Sequence, residues 1–247
     1  MVKISDMQRL FCSIFITSIP LIFVACTTQQ PRGSAEVSSK VGRGVLTASR
    51  EPGVRFYCVA LECPAAPKIG CGSAAKPILL ELEKQPAIRE AWLNREGTVI
   101  AVVPQEKTNP KESTRSVARV LKSHNHPANE ITAAEREQIV QGFKARGGWL
   151  RGAQVDQLSM EEARIIADRM LRRVQHKTLI TDDQTKRLRN EFQQLIEARF
   201  IRNVGPSSRD EWREKALQAA RPVLDHSQLA ALEDALQQGF HPQPGEE

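Results

Sequence analysis

Three cysteines, Cys58, Cys63 and Cys71, fall within fourteen positions of one another in a chain of 247 residues. Thiolates are nucleophiles, disulfide formers and soft-metal ligands, so this segment holds the residue types best suited to chemistry. Glu62 to Gly72 carries Pro64, Pro67 and Gly70 and reads as a loop, after which Ser73 opens a helical stretch. Cys71 therefore stands at a helix N-terminus, where free N–H groups and the helix dipole stabilise a thiolate. Three outcomes stay open. The first is a structural disulfide, Cys63–Cys71 or Cys58–Cys71, that pins the loop. The second is a soft-metal site for Cu(I), Hg(II) or Zn(II) using Cys71 with Cys63 and Cys58. The third is inert thiols.

Other chemistry finds less to work with. His124 and His126 flank Asn125 and could chelate a metal from a loop if a third ligand came from elsewhere, but beside Pro127 they read first as a solvated loop. His176, His226 and His241 read as isolated and exposed. The sequence contains no nucleophile elbow, no His-Glu-x-x-His and no phosphate-cradling glycine loop. It also contains no Cys-x-x-Cys, so thiol–disulfide exchange is not expected and the chain reads as a non-enzyme.

The elements that position the cysteines follow from periodicity. Val54–Val59 is β-branched and aromatic and predicts a strand. Ala75, Ile78, Leu79 and Leu82 recur at helical spacing, with Pro77 expected in the first turn and Pro86 as the stop. Ile88–Leu93 alternates, Asn94-Arg95-Glu96-Gly97 predicts a hairpin turn, and Thr98–Val103 predicts a strong strand. From residue 111 onward the pattern is helical throughout, beginning with a helix over Glu112–Ser123. Five pairs have the spacing of a capping box: Thr132/Glu135, Ser159/Glu162, Thr181/Gln184, Ser208/Glu211 and Asp225/Gln228. Apolar stripes follow them, among them Ile166/Met170/Val174 and Leu188/Phe192/Leu195. The stretch Leu179–Gln184 echoes Val223–Gln228, which we read as shared capping chemistry; it resembles the "Leu-Thr-x-x-Gln" helix opening of helical periplasmic stress and metal-response proteins.

At the N-terminus, Leu10–Ala25 is apolar and uncharged, too short to span a bilayer and of the proportions of a secretory h-region. It ends Leu21-Ile22-Phe23-Val24-Ala25-Cys26 and is followed by polar Thr27-Thr28-Gln29-Gln30. This segment resembles a bacterial lipoprotein signal. The resemblance implies cleavage after residue 25, lipidation of Cys26 with acyl chains such as palmitate, and a periplasm-facing protein. The lack of Asp after Cys26 implies the outer membrane. Two or three acyl chains anchor a protein stably, since each buried methylene contributes about 0.8 kcal/mol. Met7 would give a cleaner signal start than Met1. Cys12 leaves with the signal, which makes Cys58, Cys63 and Cys71 the cysteines left for chemistry, in a compartment where disulfides persist. The mature chain carries a net charge of only +5, interleaved on helices, which argues against nucleic acid as a partner. Residues 26–53 are Ser, Thr, Gly, Gln and charged residues and read as a flexible tether.

Ile69-Gly70-Cys71-Gly72-Ser73, the helix after it and the Asn94-x-x-Gly97-Thr98-Val99 hairpin resemble, in order and spacing, the heavy-metal-associated domain of copper chaperones and mercury-binding proteins. The resemblance covers residues 54–125. It implies a small ferredoxin-like βαββ(αβ) domain, followed here by an α-helical domain over 130–240, so the expected class is α+β. The family's second loop cysteine falls at Ala74, so its metal motif is degenerate; Cys63 returning to Cys71 would restore two sulfurs. The expected function is a non-catalytic interaction or binding module of the envelope, held to the membrane by lipid and with envelope proteins as partners. The alternative is a soft-metal carrier or sensor using Cys71 with Cys63 and Cys58.

Overall fold

A computed structural model describes residues 53–145 and 147–246, with the side chains of 133–135 excepted. The expected signal over 1–25, its Met7 start, Cys12, the lipidation residue Cys26 and the tether up to 52 lie outside the described residues. Within them, seven helices accompany a five-stranded antiparallel sheet. The strands are β1 (Arg55–Cys58), β2 (Ile88–Asn94), β3 (Val99–Pro104), β4 (Asn129–Glu130) and β5 (Trp149–Arg151). The helices are α1 (Gly72–Glu83), α2 (Pro110–Ser123), α3 (Ala133–Ala145), α4 (Asp156–Gln175), α5 (Asp182–Phe200), α6 (Arg209–Ala220) and α7 (His226–Gln237). The expected α+β class holds at this level. Among the described residues no helix is long and apolar enough to cross a membrane.

The sheet order is β4-β1-β3-β2-β5. β3 lies at its centre, paired with β1 from Arg55↔Val102 to Cys58↔Val99 and with β2 through Leu93↔Ile100. It is buried on both faces, which accounts for the unbroken apolar run Val99–Val103. On one face Tyr57, Leu93, Ile100 and Val102 pack against Ile78, Leu79 and Leu82 of α1 and Val117, Val120 and Leu121 of α2. On the other, Phe56, Val99, Ala101 and Val103 meet Phe143 of α3 and Trp149 of β5, with Phe143 and Trp149 edge to face at 5.0 Å.

Three sequence expectations differ from the structure. The chain beyond residue 111 is not helical throughout. β4 closes against β1 through Tyr57↔Glu130 and Cys58↔Asn129, and β5 adds to β2 at the opposite edge. Both strands are too short, at two and three residues, to leave a period-2 signal. Pro77 lies inside α1, in its second turn, where it removes one backbone bond rather than a donor already free. α2 begins at Pro110, two residues earlier than expected, because Asn109 caps it by accepting from the Lys111 N–H at 2.9 Å.

α4 to α7 bury their apolar stripes together around Ile166, Met170, Leu188, Phe192, Trp212 and Leu232. The Thr181/Gln184 and Asp225/Gln228 capping boxes both form, and Ser208 accepts from the Glu211 N–H. The echoed segments meet each other. Gln184 donates to the Val223 carbonyl at 2.8 Å, Gln228 donates to the Leu179 carbonyl at 2.8 Å, and the two amides bond at 3.1 Å. Each glutamine thus closes its own helix start and grips the chain entering the other. The tail after α7 is held by Arg173, buried, which reaches Glu246, the Gly239 carbonyl and the His241 carbonyl.

Candidate dithiol site

After β1 the chain stays pinned to the β2–β3 turn. Val59 and Leu61 donate to the carbonyls of Thr98 and Gly97, each at 2.9 Å. It then doubles back on itself. Glu62 bridges Gly70, Cys63 donates to the Ile69 carbonyl at 2.8 Å, and Cys71 donates to the Leu61 carbonyl at 2.7 Å. In this antiparallel pairing Cys63 and Cys71 lie on the same side, although eight positions separate them in the chain. Arg169 of α4 clamps the loop through the Ala65 carbonyl at 2.6 Å, and the same guanidinium holds the Phe240 carbonyl of the tail.

Glycines allow the close approaches that this fold-back needs. Gly97 has φ +78°, and a Cβ there would stand 2.5 Å from the Leu61 carbonyl oxygen and 2.6 Å from the Gly70 Cα. A Cβ at Gly72 would stand 2.3 Å from the Val155 carbonyl oxygen and 2.5 Å from Ser159 Oγ. The first turn of α1 is therefore in backbone contact with the start of α4, and Cys71, the residue before it, is held at the junction.

Cys71 occupies the N-cap position of α1, as the sequence predicts, and is half-buried; Cys63 is 2% exposed. The hydrogen bond from Cys63 is the main cause that lowers the Cys71 thiol to about 6, helped by the Ser73 hydroxyl at 3.3 Å and the first-turn N–H groups of Ala74 and Ser73, against the opposing effect of burial. Cys63 moves the other way. Its bond to Cys71, its burial and the charge of Glu162 all keep it protonated. The opposite shifts favour a thiolate at Cys71 beside a thiol at Cys63.

The third member is Glu162 of α4. It is 4% exposed, and its Oε2 has no hydrogen-bond partner among the described residues. Burial, and secondly the Cys71 charge, raise its carboxyl to about 8, while a hydrogen bond from Cys63 works the other way. Near pH 7 the favoured state is a Cys71 thiolate, a Cys63 thiol and a Glu162 carboxylic acid.

Sequence reasoning placed Glu162 wrongly, as the second half of a capping box with Ser159. α4 starts three residues before Ser159, at Asp156, so both side chains lie within the helix and both are buried. The signal was present: Glu162 is four residues after Leu158 and four before Ile166, in line with the apolar stripe. A carboxylate on that line faces the interior.

The structure brings Cys63 and Cys71 together and leaves Cys58 elsewhere. Cys58 ends β1 and packs with the cluster around Phe56 and Phe143, on the α3 face of the sheet, whereas Cys63 and Cys71 pack with the α4–α7 core. Alternation along β1 decides this. Among the described residues no disulfide joins the three, and no group of three or more His, Cys, Asp or Glu side chains is placed to hold a metal ion. His124 Nε2 meets Glu81 Oε2 at 2.8 Å, and His126 is lowered by burial and by the His124 charge. His241, expected to be isolated, lies 3.3 Å through Nδ1 from the Pro64 carbonyl of the cysteine loop. Comparison of the chain with protein-family models, with curated protein sequences and with solved structures returns no match.

Proposed function

We propose that this chain is an envelope-facing lipoprotein whose folded part carries a thiol–disulfide exchange site, with Cys71 as attacking thiolate and Cys63 as resolving thiol. One observation carries the reading: Cys71, half-buried at a helix N-terminus, is folded back beside buried Cys63 and packed against the helix that carries buried Glu162. The sequence pointed to a non-catalytic module because it lacks Cys-x-x-Cys. The loop fold-back supplies the proximity which that motif supplies elsewhere.

The Cys71 thiolate attacks one sulfur of a disulfide in an extracytoplasmic polypeptide, forms a mixed disulfide and expels one thiolate. Cys63 loses its proton and attacks the Cys71 sulfur. That step forms the Cys63–Cys71 disulfide and expels the second thiolate, and solvent or the site protonates the two products. The substrate disulfide gains two electrons and the pair loses them; the reverse sequence oxidises a substrate dithiol.

A second reading is favoured by the sheet. The order β4-β1-β3-β2, with α1 and α2 on the crossovers and Cys71 opening α1, supports a ferredoxin-like domain of the heavy-metal-associated kind. In that reading Cys63 and Cys71 hold a two-coordinate soft ion, Cu(I) or Hg(II). The anchoring reading keeps its own basis, the Cys26 motif, and gives the site an oxidising compartment and membrane-bound partners.

Alkylation of the full chain across pH, with peptide mass mapping, tests the assignment. Exchange predicts that Cys71 modification rises through about pH 6 rather than the ordinary 9.0, that Cys63→Ser moves it up, and that a small disulfide yields a reversible Cys63–Cys71 bond. A profile centred near the ordinary value with no such bond overturns exchange. Stoichiometric Cu(I) uptake that needs both cysteines, without oxidation by a disulfide, would select the metal reading. Unchanged mass and membrane fractionation in Cys26→Ala would overturn the lipid anchor.

A further inference from the structure

We propose that Glu162 accepts the Cys63 proton in the second half of the exchange, and that loss of the Cys71 charge in the mixed disulfide raises the share of it that is ionised. This rests on the exchange reading above. The geometry points to it first. Glu162 is buried on α4, with one carboxylate oxygen unpartnered among the described residues; α4 packs on the cysteine loop there, with Ser159, one turn earlier, against Gly72 and with Cys63 in one core cluster with Ala163 and Ile166. A buried carboxyl with an unpartnered oxygen costs stability, and among the described residues no ion pair or helix-cap role offsets it.

The charge sequence follows from which groups face it. The titratable groups that act on Glu162 are Cys63 and Cys71, both from the loop. Arg169, further along the same helix, is engaged by the Ala65 and Phe240 carbonyls. In the resting site burial, and secondly the Cys71 thiolate, disfavour a negative charge on Glu162, so its carboxyl stays protonated. Once Cys71 is in a mixed disulfide its sulfur is neutral. That repulsion ends, and although burial still raises the carboxyl, a larger fraction of Glu162 gives its proton to solvent. Among the described groups that act on Cys63, the resulting carboxylate is then the charged acceptor for its proton. As Cys63 ionises it attacks the Cys71 sulfur; the proton moves to Glu162, and the electron pair of the old S–S bond leaves with the substrate thiolate. One proton is transferred and one S–S bond replaces another. Cys63 is thereby kept inert until Cys71 has captured a substrate.

The test uses the full chain with Cys12, Cys26 and Cys58 changed to Ser and the symmetric disulfide of thionitrobenzoate as probe. Each attack releases one coloured thiolate, so Cys71 gives a first phase and Cys63 a second. Glu162→Gln is expected to leave the first phase fast and to slow the second by about a hundred-fold, the low end of general-base effects, with the second phase becoming proportional to hydroxide concentration. Glu162→Asp is expected to restore part of the rate. A second phase in Glu162→Gln with the parent's rate and pH profile overturns the role of Glu162 and leaves exchange standing. A parent that shows the first phase alone overturns exchange itself.

Discussion

Glu162→Gln also gives a stability prediction that depends on no substrate. The carboxyl is raised from 4.5 to about 8 on folding, chiefly by burial. An unfolded Glu is ionised above 4.5, whereas the folded one keeps its proton up to about 8, so between these values the folded state binds more protons than the unfolded. Stability contributed by this group is fully present below 4.5 and declines as pH rises through 8. At about pH 7 the two pKa values give a penalty of about 3 kcal/mol relative to a neutral side chain. Gln has the size of the protonated acid and never ionises. It should match the parent near pH 4 and exceed it by about 3 kcal/mol at pH 7. Cys71 acts with the opposite sign, since its thiol is lowered on folding from 9.0 to about 6 and adds stability as pH rises through that window. That contribution is present in both chains and largely cancels in the difference. Urea unfolding under reducing conditions, followed by the fluorescence of Trp92, Trp149 and Trp212, measures the difference at each pH. A stability difference that is flat between pH 4 and pH 8, or a variant weaker than the parent throughout, would refute the claim that Glu162 is a buried neutral acid.

Two further substitutions test how the site is held. Gly72→Ala drives a Cβ into the Val155 carbonyl and should cost about 2 kcal/mol and shift Cys71 alkylation to higher pH, because α1 must move away from α4; unchanged unfolding and alkylation would contradict that contact. Arg173→Ala removes a buried guanidinium that binds Glu246 and two tail carbonyls, and should cost about 2–3 kcal/mol and expose the tail beyond Gly239 to limited proteolysis. The same pair holds the Glu246 carboxyl down at about 2, so its contribution in the parent is present above 4.5 and is lost as pH falls towards 2; an acid unfolding midpoint that the substitution leaves unmoved would count against the pairing.

Elements with a strong local signature were legible in the chain. β1 to β3, the Asn94–Gly97 turn, α1 and the helices opened by Thr181 and Asp225 each combine a period with a turn or a cap, and both parts act over a few residues. β4 and β5 were not legible, since two or three residues form strands only because β1 and β2 offer them an edge. Residues 1–52 carry the lipoprotein resemblance in their sequence, and the described structure starts after them.

The candidate site divides in the same way. The sequence by itself determined that Cys71 stands at a helix start, because that depends on its immediate neighbours. It could not choose among the cysteine pairs, for proximity of Cys63 to Cys71 depends on Glu62 meeting Gly70 and on the alternation that turns Cys58 to the other face. It misread Glu162, because a glutamate three residues after a serine satisfies the local rule for a cap whether or not a helix begins there. Only the tertiary structure, by extending α4 back to Asp156 and packing it across the loop, places that carboxyl in the interior beside two sulfurs. Proton affinities in such a site are set by burial and by charges brought from distant parts of the chain, and neither is a property of local sequence.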